Sequence, residues 1–208
     1  MECIKTDKQE QILLAAEKLF AEHGFDATST RALAAEAGVN IAMISYYYGS
    51  KEQLFRALLE RRATEFRDRL NQLKHEKKSY FEQLSAYATV YVDRIFEKHQ
   101  FHKIIQRELG LMQRSTSNDA IADILLTNAG FFKEAIQNGI QEGEFKQNVD
   151  IELTIMSIIG TISQITTMPY LSLRMLHGNP DNENIYGEKY KSRLKKHLVS
   201  LLASHLKK

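Results

Sequence analysis

Apolar residues recur every three or four positions along most of this chain, which is the spacing of amphipathic α-helices. No segment alternates strictly between apolar and polar residues, so the pattern predicts no strand. Together with the two short helices described next, it predicts about nine helices and an all-α fold. The longer predicted helices span residues 6–23, 51–74, 79–98, 101–112, 120–138, 150–175 and 186–205.

Residues 28–51 (TSTRALAAEAGVNIAMISYYYGSK) predict two short helices joined by a tight turn. Hydroxyl side chains at 28–30 can cap the first helix, Gly38 supplies a left-handed turn residue, and Asn40 can cap the second helix. The side chains left outward on the second helix are Ile41, Ala42, Met43, Tyr46 and Tyr47. This pattern is typical of a helix-turn-helix, whose second helix enters the DNA major groove.

A longer stretch of sequence resembles the TetR (tetracycline repressor) family of bacterial transcription regulators. The resemblance lies in AAEKLFAEHGF (15–25), ATSTRALAAEAGV and YYYGSKEQLF, and it covers about the first quarter of the chain. It implies an N-terminal three-helix helix-turn-helix DNA-binding domain over residues 1–50. It further implies a C-terminal helical ligand-binding and dimerisation domain over residues 51–208.

The resemblance also implies roles for single residues. It assigns phosphate contacts to Ser29, Thr30, Tyr47 and Lys51, which match the family's motif. It assigns a guanine contact to Arg31. The full predicted DNA-binding set is Ser29, Thr30, Arg31, Asn40, Ile41, Ala42, Met43, Ser45, Tyr46, Tyr47 and Lys51.

The sequence departs from the family's pattern at two of these positions. Ser45 stands where a tyrosine is usual, which shortens or removes one phosphate contact. Ile41 replaces a polar residue or lysine, and it can touch a thymine methyl group but cannot hydrogen-bond a base edge. The tyrosines at 46–48 have an alternative interpretation as a hydrophobic knot rather than a DNA-facing surface.

The composition is that of an ordinary globular chain, with 43% hydrophobic and 26% charged residues and a formal net charge of +2. Residues 1–50 carry four cations against seven carboxylates, which predicts few phosphate contacts and a modest dependence of DNA binding on salt. A single cysteine (Cys3), no signal peptide and no long apolar run predict a cytoplasmic protein. We expect no cofactor and no metal site, because the histidines lack a second ligand pair.

The last two long helices carry more apolar residues than one monomer core is expected to need. A homodimer would bury this surplus and would present two recognition helices to a palindromic double-stranded DNA operator. The alternative is a monomer with a fully buried central helix. The predicted dimer-interface residues are Ile151, Ile155, Ile158, Ile162, Leu194, Leu198 and Leu201.

The resemblance further implies that a small-molecule effector of unknown identity binds among the middle helices. Bulky, adaptable or polar side chains there are the candidates, although each is also consistent with plain core packing. Of the adjacent pair Arg107 and Glu108, we favour Arg107 as the ligand contact. The predicted ligand-binding residues are Phe101, Ile105, Arg107, Met112, Phe132, Met156, Gln164 and Met168.

The sequence therefore predicts a transcriptional regulator that is not an enzyme, and more specifically a repressor that an effector releases from DNA. The alternative is a helical small-molecule carrier or enzyme that retains a degenerate helix-turn-helix. The acidic first segment and Ser45 are the features that favour this alternative.

Overall fold

The computed structural model describes residues 2–74, 79–110 and 116–208, with side chains for 8–74, 79–110 and 119–208. These ranges confirm the all-α fold: they contain ten helices, and their β pairing is limited to one bridge between Phe145 and Lys207. The helices are α1 (Glu2–His23), α2 (Thr30–Glu36), α3 (Ile41–Tyr48), α4 (Lys51–Lys74), α5 (Tyr80–Glu97), α6 (His99–Gly110), α7 (Thr116–Gln141), α8 (Ile151–Thr167), α9 (Pro169–Met175) and α10 (Glu188–Leu206).

The predicted helix over 150–175 is two helices. Asp150 caps α8 by accepting a hydrogen bond from the Leu153 backbone N–H, and α8 ends at Thr167. Pro169 then begins α9, because a proline fits the first turn of a helix but not its interior. The α8–α9 pair is bent by 109° at this break. No single helix in the described ranges is both long and apolar enough to cross a membrane, and only this bent pair meets those two criteria jointly.

The chain divides into two compact units. The first unit comprises Met1–Glu65 and Gln100–Leu125, and the second comprises Phe66–His99 and Leu126–Lys208. The first unit therefore includes most of α6, a segment that the sequence analysis assigned to the second domain. The functional boundary at residue 50 stays a prediction, because compactness is defined by packing and not by activity.

Three aromatic rings form the centre of the first unit. Phe20 of α1, Phe25 of the following turn and Phe55 of α4 lie with ring centroids 5.0–5.5 Å apart. Phe101 and Ile105 of α6 are buried in the same apolar cluster. The helices that carry the DNA-binding motif therefore share one core with α6.

The second unit is built around α5 and α10. Every fourth residue of α10 is buried in the core that this helix shares with α5, beginning with Tyr190 and ending with Leu206. A capping box at Ser79 and Glu82 begins α5, within the helix predicted over 79–98. At the edge of the helix pair, the Asp93 carboxylate of α5 accepts hydrogen bonds from the ammonium groups of Lys191 and Lys195, at 2.8 and 2.6 Å.

We expect Asp93→Asn to destabilise the second unit by about 1–3 kcal/mol, because two charge-assisted bonds between half-buried groups are weakened. Burial alone would raise the pKa of Asp93, but the Lys191 and Lys195 ammonium groups outweigh it and hold the pKa below its usual 3.8. The stabilisation is therefore full above that value and is lost as the pH falls through the lower folded-state pKa. Urea unfolding at pH 7 and pH 3 measures both effects.

The exposed Asp68→Asn is the matched control, with an expected change within about 0.5 kcal/mol. An Asp93→Asn cost that stayed equal at both pH values would contradict an ionic origin.

Candidate nucleic-acid interface

Local hydrogen bonds define the start of both helices of the motif. The Ser29 hydroxyl accepts a bond from the Ala32 backbone N–H at 3.1 Å and begins α2. The Asn40 side-chain oxygen accepts a bond from the Ala42 N–H at 3.0 Å and begins α3. Between them Gly38 has φ +62°, a conformation that a side chain disfavours. These three features confirm the predicted helix-turn-helix.

The outer face of α3 is accessible. Ile41 is 46% exposed and Tyr46 is 69% exposed, and Ala42 and Ser45 also lie on the surface. Met43 and Tyr47 are half-buried, and the Tyr47 ring lies edge-on to the Tyr46 ring with centroids 5.1 Å apart. Four of the predicted DNA-facing residues of α3 thus form its exposed face, and Met43 and Tyr47 lie at the edge of that face.

The inner face of α3 holds the helix against α1. Ile44 is buried, and Val39 packs against the same core. The Tyr48 hydroxyl donates to the Gln9 carbonyl of α1 at 3.0 Å, and burial raises the pKa of Tyr48 to about 12. Tyr48 therefore anchors the helix, whereas Tyr46 is directed outward.

Lys51 has a structural role in addition to the phosphate contact that the resemblance implies. Its ammonium donates to the carbonyls of Phe25 at 2.9 Å and Thr28 at 3.1 Å, and it lies 4.3 Å from the centroid of the Phe25 ring. Lys51 therefore links the start of α4 to the α1–α2 turn. The phosphate contact assigned to this residue stays a prediction.

The α6 helix contacts the same turn from within the first unit. Glu108 is only 5% exposed, and burial raises its pKa even though the Phe25 backbone donates a hydrogen bond to it. Arg107 is exposed, and its guanidinium covers Gly24, where an added Cβ would lie 3.1 Å from the guanidinium nitrogen. The buried member of the pair is thus Glu108 and the exposed member is Arg107, and the ligand contact assigned to Arg107 stays a prediction. The two residues differ in burial, and the sequence of two adjacent charged residues does not reveal which of them is buried.

A buried ion pair fixes α1 to α4 below the motif. Arg62 is 6% exposed, and its guanidinium donates to the Glu17 carboxylate of α1, with a 2.9 Å bond from Nε. It also donates two bonds to Glu65, at 3.0 and 2.9 Å. Burial alone would lower the pKa of Arg62, but both carboxylates raise it, so the guanidinium remains charged.

Charge on the recognition surface is sparse. Between residues 29 and 50, Arg31 is the only cation and Glu36 the only carboxylate. Glu36 pairs with Lys18 of α1 at 2.6 Å, and Arg31 is exposed. Ser29 is exposed beside Arg31, and Thr30 is half-buried. The site therefore offers one guanidinium, several hydroxyl groups and an apolar helix face.

The residues predicted to bind an effector are divided between the two cores and the surface, and their role in ligand binding stays a prediction. Phe101 and Ile105 belong to the core of the first unit, and Phe132 to the core of the second. Met156, Gln164 and Met168 lie on the surface of the second unit. Met112 lies outside the described residues.

The residues predicted for a dimer interface lie mostly inside the second unit. Ile151 and Leu201 are half-buried. Buried in the core are Ile155, Ile158, Ile162, Leu194 and Leu198. These five side chains stabilise the core of their own unit. A single core therefore accommodates apolar residues that were predicted to form a dimer interface.

The outward face of α8 carries other residues, including Leu153, Met156 and Gly160. Two shallow grooves follow the α8–α10 seam. One, of about 220 Å³, is lined by Leu153, Ser157 and Leu201 among others. The other, of about 360 Å³, includes Gln164 and His197. The surface between α8 and α10 is therefore apolar and contains grooves.

These features define the class of protein: an all-helical chain with a helix-turn-helix that leaves the outer face of its second helix accessible. The family model described as bacterial regulatory proteins of the tetR family matches residues 12–58. The model described as the C-terminal region of YsiA-like proteins matches residues 59–173. The chain belongs to the TetR family of bacterial regulatory proteins and is a DNA-binding transcriptional regulator.

Several relatives resemble it along most of their length. The fatty acid metabolism regulator protein of Bacillus subtilis strain 168 is 28% identical over 166 residues, covering 78% of this chain and 84% of that protein. The transcriptional regulator FadR from Bacillus subtilis in complex with stearoyl-CoA has a TM-score of 0.71 at 24% identity, covering 92% of this chain and 97% of that one. AibR in complex with isovaleryl coenzyme A and operator DNA has a TM-score of 0.71 at 19% identity, covering 93% and 97%.

Among the described residues, no group of three or more His, Cys, Asp or Glu side chains is arranged to hold a metal ion.

Proposed function

We propose that this protein is a repressor that binds a palindromic operator as a homodimer and is released from it by a small-molecule effector. The observation that carries the proposal is the accessible face of α3, which is positioned by the Asn40 cap and the Tyr48 anchor. The cytoplasm is the compartment we assign, since a regulator of this kind acts on chromosomal DNA.

Selection from a pool of random duplexes at low salt tests the DNA-binding part of the proposal. We expect enrichment of a palindrome whose half-sites are separated by about one helical turn. Failure to enrich any sequence would instead favour a carrier or enzyme with a degenerate motif.

We assign the dimer contact to the outward face of α8 and the neighbouring surface of α10. Leu153 and Met156 are exposed one helical turn apart, beside an apolar groove lined by Leu153 and Leu201, and a contiguous exposed apolar patch is typical of an interaction surface. An added Cβ at Gly160 meets no atom within 4 Å, so a partner helix has room to approach closely. Small residues beside large apolar ones suit the packing of two helices.

We further propose that the effector is an acyl-CoA thioester. The Bacillus subtilis FadR structure contains stearoyl-CoA and the AibR structure contains isovaleryl coenzyme A, so a related fold accepts this class with long and short acyl groups. The name of the fatty acid metabolism regulator is consistent with the same chemistry. In the second unit, the buried Ser85 hydroxyl and Asn128 carbonyl oxygen have no hydrogen-bond partner among the described residues. Because buried polar groups are normally paired, these atoms are candidates for a ligand contact.

We expect Asn128→Leu to raise the half-maximal effector concentration for DNA release about tenfold, the effect of losing one hydrogen bond of about 1.4 kcal/mol. The same change should keep or increase stability without ligand, since it removes an unpaired buried group. Fluorescence anisotropy of a labelled duplex, titrated with stearoyl-CoA and isovaleryl-CoA, measures release.

The matched control is Gln137→Leu, an exposed position on the same helix, which should leave both quantities unchanged. Free coenzyme A is the ligand control. An Asn128→Leu protein that is less stable but responds normally would assign Asn128 to packing alone. Release by neither thioester would contradict the proposed effector class while leaving the DNA-binding proposal intact.

A further inference from the structure

We infer that α3 reads its operator mainly through apolar contact with thymine C5-methyl groups, with little hydrogen bonding to base edges. This inference rests on the proposed function and specifies the DNA chemistry that the site recognises. It assigns specificity to the first turn of α3, and above all to Ile41 and Ala42.

The first turn is the part of a recognition helix that approaches base edges. In α3 this turn is Ile41, Ala42 and Met43, and the whole helix has neither a charged nor an amide side chain. Ile41 and Ala42 are both exposed, so their carbon atoms form the accessible surface at this end. In the major groove the apolar feature that distinguishes one base pair from another is the thymine methyl group.

Asn40 is the amide nearest to the first turn, and its geometry limits what it can read. A two-bond contact to adenine needs the amide oxygen as acceptor and the amide nitrogen as donor. The Asn40 oxygen already accepts the Ala42 backbone N–H at 3.0 Å. The cap bond uses one of the two lone pairs of this oxygen and fixes the orientation of the amide, so a two-bond adenine contact would have to share the oxygen with the Ala42 N–H.

Few side chains of this surface can then form hydrogen bonds to bases. Arg31 is the one guanidinium between residues 29 and 50. Ser45 and Tyr46 lie one turn further along α3, and their hydroxyl groups can bond to phosphate or to any base. A half-site selected by this surface should combine at most one guanine contact with thymines opposite Ile41 and Ala42.

Replacing thymine by deoxyuridine removes only the methyl group and tests the inference directly. The probe is the duplex enriched from the random pool, resynthesised with one deoxyuridine at a time. We expect binding to weaken about fourfold at one or two positions of each half-site, since burying one carbon is worth about 0.8 kcal/mol and 1.4 kcal/mol is tenfold. The remaining thymines serve as internal controls. At a sensitive position, 5-methylcytosine paired with guanine should bind more tightly than cytosine, because it restores the methyl group.

A double-mutant cycle locates the contact on the protein. In Ile41→Ala, which alters a residue outside the core, the deoxyuridine penalty should disappear at one position per half-site. In Arg31→Ala, binding should weaken while all deoxyuridine penalties persist. A duplex that binds equally well with deoxyuridine at every position would overturn the inference. Failure to enrich any duplex would instead overturn the proposed function, so the two failures are distinguishable.

Discussion

Gly160→Arg is expected to separate the homodimer and to weaken operator binding by about 10²–10⁴-fold. The arginine would place a long charged side chain where the partner's helix approaches, and it would keep the fold because an added Cβ meets nothing within 4 Å. A monomer reads one half-site, so the effective concentration that links the two binding events is lost. Sedimentation at micromolar concentration and anisotropy with the selected palindrome measure the two effects.

Gly130→Arg is the matched control, because Gly130 is also an exposed helical glycine with open space around its Cβ position. This variant should remain dimeric and bind the operator normally. A Gly160→Arg protein that sediments as a dimer would contradict the assignment of the dimer contact to α8. Monomers from both variants would show that charge alone, at any exposed glycine, disrupts assembly.

Arg62→Ala is expected to destabilise the first unit by about 3–5 kcal/mol, the usual cost of leaving a buried carboxylate without its partner. Glu17 lies almost fully buried against Arg62, and truncation would leave its charge uncompensated. Hydrogen exchange of α1 and α4 backbone amides, combined with urea unfolding, locates and measures the loss.

Arg56→Ala removes a guanidinium from the same helix, but its pair with Glu60 is exposed, so the expected cost is at most about 0.5 kcal/mol. Replacing both members of the buried pair, as Glu17→Met with Arg62→Met, should recover most of the stability lost in Arg62→Ala. If Arg56→Ala and Arg62→Ala lowered the free energy of unfolding equally, the claim that burial makes the Arg62–Glu17 pair important for stability would be contradicted.

Local chemistry explains why the motif was predictable from sequence. Gly38, Asn40 and Ser29 act through their own backbone or that of near neighbours, so residue type and spacing suffice to predict them. The amphipathic spacing of α5 and α10 was likewise sufficient to predict these two helices, because it depends only on the positions of apolar residues along the chain. Pro169 is a break signal that the sequence contains, and the single helix predicted over 150–175 did not take it into account.

Packing between distant segments was not predictable. Nothing in residues 101–110 indicates that Phe101 and Glu108 would share a unit with the DNA-binding motif. The isoleucines of α8 were assigned to a dimer contact because sequence shows that a residue is apolar but not which surface it covers. Ile158 and Ile162 are fully buried, whereas Met156, assigned to a pocket, is 65% exposed.

Affinity cleavage tests most directly the claim that α3 enters the DNA. Ala32→Cys, in a chain with Cys3→Ser, would carry an iron–EDTA group on the exposed face of α2 beside α3 without altering a residue assigned to DNA contact, and Gly130→Cys would carry it on α7 as the control. We predict that the residue 32 label cuts the selected duplex in two clusters whose centres lie about 10 base pairs, or a multiple of one helical turn, apart. Cleavage as strong from residue 130 as from residue 32, or no localised cleavage from a residue 32 label whose protein still binds the duplex by anisotropy, would contradict the account.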